Sequence, residues 1–347
     1  MRFLVTGASG FIGSRLIQNL AARYGFENIQ GLIPPMDGHE KEKIRRQILI
    51  EKNFDLISCD LLNPPVDLLK NVKPFDVLFH LAAFTETERN APALTQVNDI
   101  GTDRFLEKLK PLLKEKRVIY TSTLAAVDRF SSDNTPMGED YPCHPRTFYG
   151  KSKLHAESVI KHHAQTTGFD WIILRLPTIY GPDYRPGGLF DAIEKSLMQN
   201  SLFTRLNWPG RIGLVYVDDV VDILFQVSIE KSVANHLYHV SSNLAPTLDE
   251  LCQAVAEVLE IKRQRLLLPP VLWKLLEKMI WFPGLASILP FPLRNVIWRL
   301  SLIVTDGFVG DGSQLNKTLT IKYIPLHEGL KQIFKPARVF SRILASS

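Results

Sequence analysis

A chain of 347 residues, 45% hydrophobic and 22% charged, carries enough apolar side chain for one large or two closely joined α/β domains. Its net charge of +5 is small, and its Lys and Arg alternate with acids, as in Glu40-Lys41-Glu42-Lys43. That pattern describes a solvated helix face and argues against a nucleic-acid partner. The three cysteines, Cys59, Cys143 and Cys252, are far apart and lack metal-ligand spacing. Reduced thiols, no metal and a cytoplasmic location are therefore expected, and a first strand starting at residue 2 leaves no room for a signal peptide ahead of it.

The apolar run Phe3 to Val5 reads as a strand that breaks at Thr6-Gly7, and Phe11, Ile12, Leu16, Ile17 and Leu20 follow at helical spacing. Gly7, Gly10 and Gly13 occupy the turn. Glycines there let the chain reverse sharply, let backbone approach a pyrophosphate, and let the helix lie close on the strand. The helix N-terminus then offers free N–H groups to phosphate.

Asn28 to Ile33 is the expected second strand, and its end should meet an adenosine ribose. An acid there would select NAD and an Arg would select NADP. The chain has Pro34-Pro35-Met36-Asp37, so the choice stays open. Lys41, Lys43, Arg45 and Arg46 on the next helix are either surface charge or cations within reach of a 2′-phosphate.

Phe54 to Ser58 forms a third strand that runs into Asp60-Leu61, where the acid either accepts from an adenine or caps a turn. Asp76 to His80 forms a fourth, and Leu81-Ala82-Ala83 after it is small enough to pass close under a cofactor. The helix from Pro92 through Leu109 carries Asn98, either a surface amide or a buried one that orders backbone. Val118 to Tyr120 forms a fifth strand, ending in Thr121-Ser122-Thr123. Those hydroxyls fall where open α/β sheets bind ligands, or are turn formers.

The long helix that follows begins Phe148-Tyr149-Gly150-Lys151-Ser152-Lys153. Residues four apart share a helix face, so Tyr149 and Lys153 are neighbours and Lys151 points away. An ammonium roughly 4 Å from a phenol contributes about 4 kcal/mol at an effective dielectric near 20, or roughly three pKa units before desolvation opposes it. Tyr149 is therefore expected to exchange a proton near neutral pH. His155, His162 and His163 on the same helix read as surface or packing residues.

In the C-terminal third, a helix over Leu248 to Leu259 precedes a basic link, Lys262-Arg263-Gln264-Arg265. Residues 266–304 are apolar and hold Trp273, Trp281 and Trp298. The uncharged run 279–293 contains Pro283, Pro290 and Pro292 and is shorter than the roughly 20 residues that span a bilayer. A lid over a hydrophobic substrate, a peripheral membrane patch, and a domain core or dimer surface are the readings left. Lys274, Glu277, Lys278, Arg294 and Arg299 suit the first two. Leu326, Gly329, Leu330 and Ile333 mark a terminal helix.

Several of these motifs, with two further ones, resemble in order the extended short-chain dehydrogenase/reductases, the NAD(P)-dependent epimerase/dehydratase and 3-beta-hydroxysteroid-dehydrogenase-like branch. The matching stretches are Thr6 to Gly13, Asp60-Leu61, His80 to Ala83, Asn98, Tyr120 to Thr123, Tyr149 with Lys153, Arg175 to Pro182, and Val215 to Asp219. The resemblance implies a Rossmann-type doubly wound parallel sheet over residues 1–175, with a return segment near 214–245. A smaller substrate-binding α/β region over 176–347 would complete the chain.

It further implies Tyr149 as proton-transfer residue, Lys153 as its partner, and Thr123, or alternatively Ser122, as the hydroxyl on the reacting oxygen. Gly7, Gly10, Phe11, Ile12, Gly13, Asp60, Leu61, Leu81, Ala82, Ala83, Asn98, Pro177 and Thr178 would join Tyr149 and Lys153 around the cofactor. Phe84, Thr85, Leu124, Ile179 and Arg211 would face a small-molecule substrate. Members of this kind commonly pair into homodimers.

Sugar-nucleotide members carry Arg-Asp-Phe before the Val-x-Val-Asp-Asp run, where this chain has Arg211-Ile212-Gly213-Leu214. That departure and the apolar 266–304 stretch point first to an oxidoreductase of a bulky, hydrophobic or steroid-like alcohol or ketone. A sugar-nucleotide epimerase or dehydratase, and a non-catalytic NAD(P)-binding sensor or assembly protein, are the alternatives.

Overall fold

A computed structural model describes residues 1–36, 38–85, 91–128, 135–184, 187–242, 245–280, 297, 300–306 and 308–335. Trp281, Trp298, Arg294, Arg299 and the prolines at 283, 290 and 292 lie outside the described residues. Strand β1 (Phe3–Thr6) is followed by α1 (Gly13–Tyr24), β2 (Ile29–Ile33), α2 (Glu40–Glu51) and β3 (Asp55–Ser58). A short α3 (Leu68–Asn71) leads to β4 (Val77–His80), then α4 (Ala91–Thr95), a π-helical turn at Gln96–Ile100, and α5 (Gly101–Leu113). Next come β5 (Arg117–Thr123), α6 (Phe148–Thr167) and β6 (Asp170–Leu176).

These strands form a parallel sheet in the order β3-β2-β1-β4-β5-β6-β9, with β9 at His236–His239. The expected doubly wound Rossmann-type sheet is present. Between β1 and β4 the order in which strands are added to the sheet reverses, which opens the crevice where such sheets bind ligands. The β5 strand runs three residues further than its apolar stretch indicates. It pairs with β6 through Thr121, Ser122 and Thr123, so all three belong to the sheet, and the Thr123 hydroxyl also caps the turn that follows.

Side chains alternate along each strand and feed a core on either face of the sheet. Phe3, Val5 and Phe79 pack with Leu16, Ile17 and Leu224 on one side. Leu4, Leu78 and Tyr120 pack with Phe105, Leu106 and Ile160 on the other. The remaining chain adds a two-stranded pair, β7 (Thr178–Tyr180) with β8 (Leu214–Tyr216), and α7 (Leu189–Met198), α8 (Leu202–Arg205) and α9 (Val217–Ile229).

A third core joins Ile193, Trp208, Val255, Trp273 and Leu330. It draws on α10 (Leu248–Leu259), α11 (Pro270–Ile280) and the terminal helix, numbered α13 (Leu326–Phe334) after α12 (Ser313–Thr318). The α10 bounds agree with expectation because Thr247 and Glu250 form a reciprocal cap at its start.

The carboxyl ends of β1 and β4 are joined by a dry polar chain. The Thr6 hydroxyl lies 2.9 Å from His80 Nδ1 and accepts from the backbone of Leu81 and Ala82 at 3.1 and 3.0 Å. His80 Nε2 lies 3.0 Å from the Thr102 hydroxyl, which donates to Asn98 O at 2.7 Å. Since that proton is committed, Nε2 donates and Nδ1 accepts from Thr6. Burial holds His80 neutral, with its pKa pushed down to about 3 and the nearby Lys153 acting the same way. Thr6→Val keeps the shape, strands two buried N–H groups, and should cost about 3 kcal/mol; a urea midpoint unchanged from the parent would refute the network's role.

Candidate active site

A cleft of about 380 Å³ opens over the carboxyl ends of the strands. Its floor is the opening turn, where Gly10 N donates to Gly7 O at 2.9 Å and Gly7 adopts a φ of +67°. A Cβ on Gly13 would stand 2.1 Å from Gly7 O, so only glycine allows α1 to start against the turn. That start leaves backbone N–H groups at the helix end facing the cleft, and a Gly-lined cradle of this kind fits a dinucleotide pyrophosphate.

The opposite wall is built by α6. The Thr147 side chain caps it by accepting from Gly150 N at 2.9 Å, and Gly168 ends it in the left-handed region. Gly150 lies on the chain just past β5, and a Cβ there would come within 2.2 Å of Ala125 O. This close contact brings Tyr149 and Lys153 onto the same cleft as Ser122 and Thr123.

Lys153 is 2% exposed, and its ammonium sits 4.1 Å from the centre of the Tyr120 ring. Among the described residues no group accepts a hydrogen bond from it. Tyr149 is partly exposed to the cleft, and its phenol likewise has no partner among them. Thr123 Oγ1 accepts from Ala125 N at 3.2 Å, which leaves its O–H to donate elsewhere. Ser122 differs: its proton goes to the buried Glu157 carboxylate.

The electrostatics reverse one expectation. Burial pushes the Tyr149 phenol up to about 12 and pushes Lys153 down to about 7, the latter opposed by the Glu157 carboxylate. The ammonium was expected to lower the phenol. In the packed protein, desolvation outweighs that attraction and half-neutralises the cation that would exert it.

Of the predicted cofactor contacts, Gly7, Gly10, Phe11, Ile12, Gly13, Leu81, Ala83, Tyr149, Lys153 and Pro177 line the cleft. Five do not. Asp60 accepts from Leu62 N at 2.9 Å and caps the turn, and Leu61 is buried in the core beneath α5. Ala82 passes under Gly7, close enough that a Gly7 Cβ would meet its Cα at 2.9 Å. Thr178 pairs in β7. Asn98 grips Phe84 through both its backbone N–H and O, at 2.7 and 3.0 Å, and donates to Ser152 at 3.1 Å. It orders backbone at the cleft, and the π-helical turn aims it there.

Phe84, Thr85 and Ile179 line the predicted substrate end. Leu124 is buried, and Arg211 is exposed in a bridge to Thr247, so neither joins them. None of the described residues from 266 onward lines the cleft. His155 and His163 pair with Asp99 and Asp103 at 3.1 and 2.7 Å, and no group of three metal-binding side chains exists among the described residues.

The sequence reading did not anticipate the wall made by Gly38, His39, Glu42 and Tyr184. Arg45, read from the sequence as surface charge or as a cation within reach of a 2′-phosphate, lines the cleft beside them and donates to Ser9 O at 2.9 Å beneath the glycine turn. Of the other basic residues, Lys41 donates to Tyr184 O, Arg46 to Pro34 O, and Lys43 is exposed. The three-residue recurrence of Glu42 and Arg45 on one helix face was the available signal.

The NAD dependent epimerase/dehydratase family model matches residues 3–240, and the chain belongs to that family. It is 29% identical over 209 residues to the uncharacterised UDP-glucose epimerase YtcB of Bacillus subtilis, covering 59% of this chain and 65% of that protein. It is 26% identical over 259 residues to the dTDP-D-glucose 4,6-dehydratase of Dictyostelium discoideum, covering 70% and 58%. The matches thus span less than two thirds of these two relatives. The crystal structure of UDP-glucuronic acid 4-epimerase from Bacillus cereus with NAD superposes with a TM-score of 0.72 at 21% identity, over 96% of this chain and 97% of that one.

Because Lys153 titrates at about 7 when folded and ordinarily at 10.5, the unfolded chain holds the extra proton between those values. Stability from this site is therefore lowest below pH 7 and rises as pH climbs toward 10. Urea midpoints of the parent and Lys153→Met, compared from pH 6 to 9.5, should diverge in the parent's favour with rising pH. Parallel curves would contradict the buried-cation assignment.

Proposed function

We propose that the cleft takes NAD or NADP and oxidises a secondary alcohol carbon of a sugar nucleotide, the cofactor being reduced and then reoxidised within one turnover, as in an epimerase or dehydratase. The observation that carries this is the convergence of Tyr149, Lys153 and Thr123 at one end of a cleft whose other end is the glycine turn. The bound dinucleotide would supply hydride exchange. Backbone N–H groups at the start of α1 hold its phosphates, and Lys153 donates to its ribose hydroxyls. Tyr149 passes the proton at the substrate oxygen, and the Thr123 O–H donates to that same oxygen. Ser122 takes no part in that contact, since Glu157 has its proton. The names of the relatives, sugar-nucleotide epimerases and a dehydratase, favour this substrate class over a steroid.

One observation favours a second reading, net redox of a hydrophobic alcohol or ketone. Arg211, the cation expected to meet an anionic substrate, lies off the cleft, whose substrate end is bordered by Phe84, Leu176, Pro177 and Ile179. Absorbance at 340 nm separates the two. A rearranged UDP- or dTDP-sugar with no net cofactor change supports the first, and stoichiometric cofactor turnover with a hydrophobic ketone supports the second. Tyr149→Phe should lower kcat by roughly 10²- to 10⁴-fold; unchanged turnover would remove Tyr149 from the chemistry.

We also infer a peripheral contact between α11 and an anionic bilayer. Val271, Leu275 and Met279 recur at four-residue spacing along α11, and each is more than half exposed, as is Leu267 just before the helix. Lys274 and Lys278 flank the row, and no helix among the described residues is long and apolar enough to cross a membrane. The parent protein should co-sediment with phosphatidylserine vesicles and Leu275→Glu should stay in the supernatant. Equal recovery of the two would exclude this face.

A further inference from the structure

We propose that Glu157 is a positioning residue for the site, fixing Ser122 beside Thr123 and setting a carboxylate one helical turn from the ammonium of Lys153. The inference rests on the roles assigned above to Tyr149, Lys153 and Thr123, and it reaches past them to a residue that lies outside the cleft lining.

Tyr149, Lys153 and Glu157 recur every four residues along α6 and so share one face of the helix. Glu157 is 2% exposed. Its carboxylate takes both prongs of the Arg175 guanidinium from β6, Nε to Oε1 at 3.0 Å and Nη2 to Oε2 at 2.7 Å. Oε1 also accepts from the Ser122 hydroxyl. Arg175 in turn donates to Cys143 Sγ at 3.3 Å and to His239 Nε2 at 3.4 Å. With Nε2 accepting, His239 donates through Nδ1 to Met137 O at 2.9 Å. Burial keeps His239 neutral, at about 4.

A buried ion pair seldom repays its desolvation through stability alone, and apolar replacements of similar volume often fold as well. The placement of this pair suggests another use. Every other group facing Lys153 leaves its charge uncompensated. His80 is neutral, Tyr120 offers only a ring face, and Tyr149 is protonated at neutral pH. Asp99 lies near Tyr120 and pairs with His155, and it is not among the charges acting on Lys153. The anion one turn along the helix is the group that favours the charged lysine. The same carboxylate ties the β5 residue immediately before Thr123 to the helix carrying Tyr149. One residue thus sets both the cation and the spacing between the two proton-handling groups.

The test reads the Lys153 titration from unfolding free energy, as the difference between each background and its Lys153→Met derivative across pH 5 to 10. Replacing Glu157 by Gln keeps shape and an acceptor for Ser122 but removes the charge. Its midpoint should fall by about one pH unit relative to the parent, and on any substrate the parent turns over, the alkaline limb of kcat should fall with it while KM holds. Ser122→Ala should leave the midpoint in place and lower kcat several-fold. If Glu157→Gln fails to fold, the paired change Glu157→Gln/Arg175→Met removes both charges and should show a smaller downward shift, since the nearer anion and the farther cation leave together. An unmoved midpoint overturns the charge role, and unchanged kcat in Ser122→Ala overturns the spacing role. Neither outcome depends on Tyr149: a fully active Tyr149→Phe would defeat the catalytic reading while the midpoint shift stayed measurable.

Discussion

At Gly150 the first turn of α6 presses against Ala125 O with no space for a side chain, and the rest of the site depends on that contact. Tyr149 sits on the preceding position and Lys153 one turn along. The chain they press against is the direct continuation of Thr123. Local capping by Thr147 sets where the helix begins, so the register of Tyr149 against β5 is decided by that cap together with the Gly150–Ala125 contact. A substitution at Gly150 would move the helix start and separate the phenol from the Thr123 hydroxyl without touching either.

Two polar networks hold the floor and the wall, and they use opposite electrostatics. Beneath the opening turn, Thr6, His80, Thr102 and Asn98 are neutral and satisfied, so the cross-link between β1 and β4 carries little desolvation penalty for charge. Beneath β5 and α6, Glu157 and Arg175 form an ion pair and are about equally buried. Neutral groups suffice where the task is to hold backbone at a fixed height under a phosphate cradle. Charge appears where a neighbouring lysine must keep its proton in a dry setting.

Much of this was legible in the sequence because it is local. The strand, glycine turn and helix at residues 3–24 declare themselves through spacing alone, and so does the helical interval between Tyr149 and Lys153. Asp60, Leu61, Asn98, Leu124, Thr178 and Arg211 were placed by analogy of position. Where their side chains go depends on partners distant in sequence, such as Phe84 for Asn98 and Thr247 for Arg211. The wall formed by Glu42 and Tyr184 was hidden for the same reason, since α2 and the segment after β7 meet only in three dimensions. The sign of the Tyr149 shift was misjudged because a Coulomb estimate needs only helix geometry, whereas desolvation needs the whole packed surround.

That reversal changes which group responds near neutrality. With its phenol pushed up to about 12, Tyr149 stays protonated across the physiological range, while Lys153 at about 7 is divided between two forms. A charged Lys153 one turn away draws the phenol's proton affinity down; a neutral one leaves it high. Under the proposed chemistry, in which one phenol must both release and recover a proton, the lysine is the variable and the tyrosine follows it. The carboxylate of Glu157 biases that variable toward the charged state, and its own orientation is fixed by Arg175 in the sheet. Control of the reacting oxygen therefore begins in the core of the sheet and passes outward along a single face of α6.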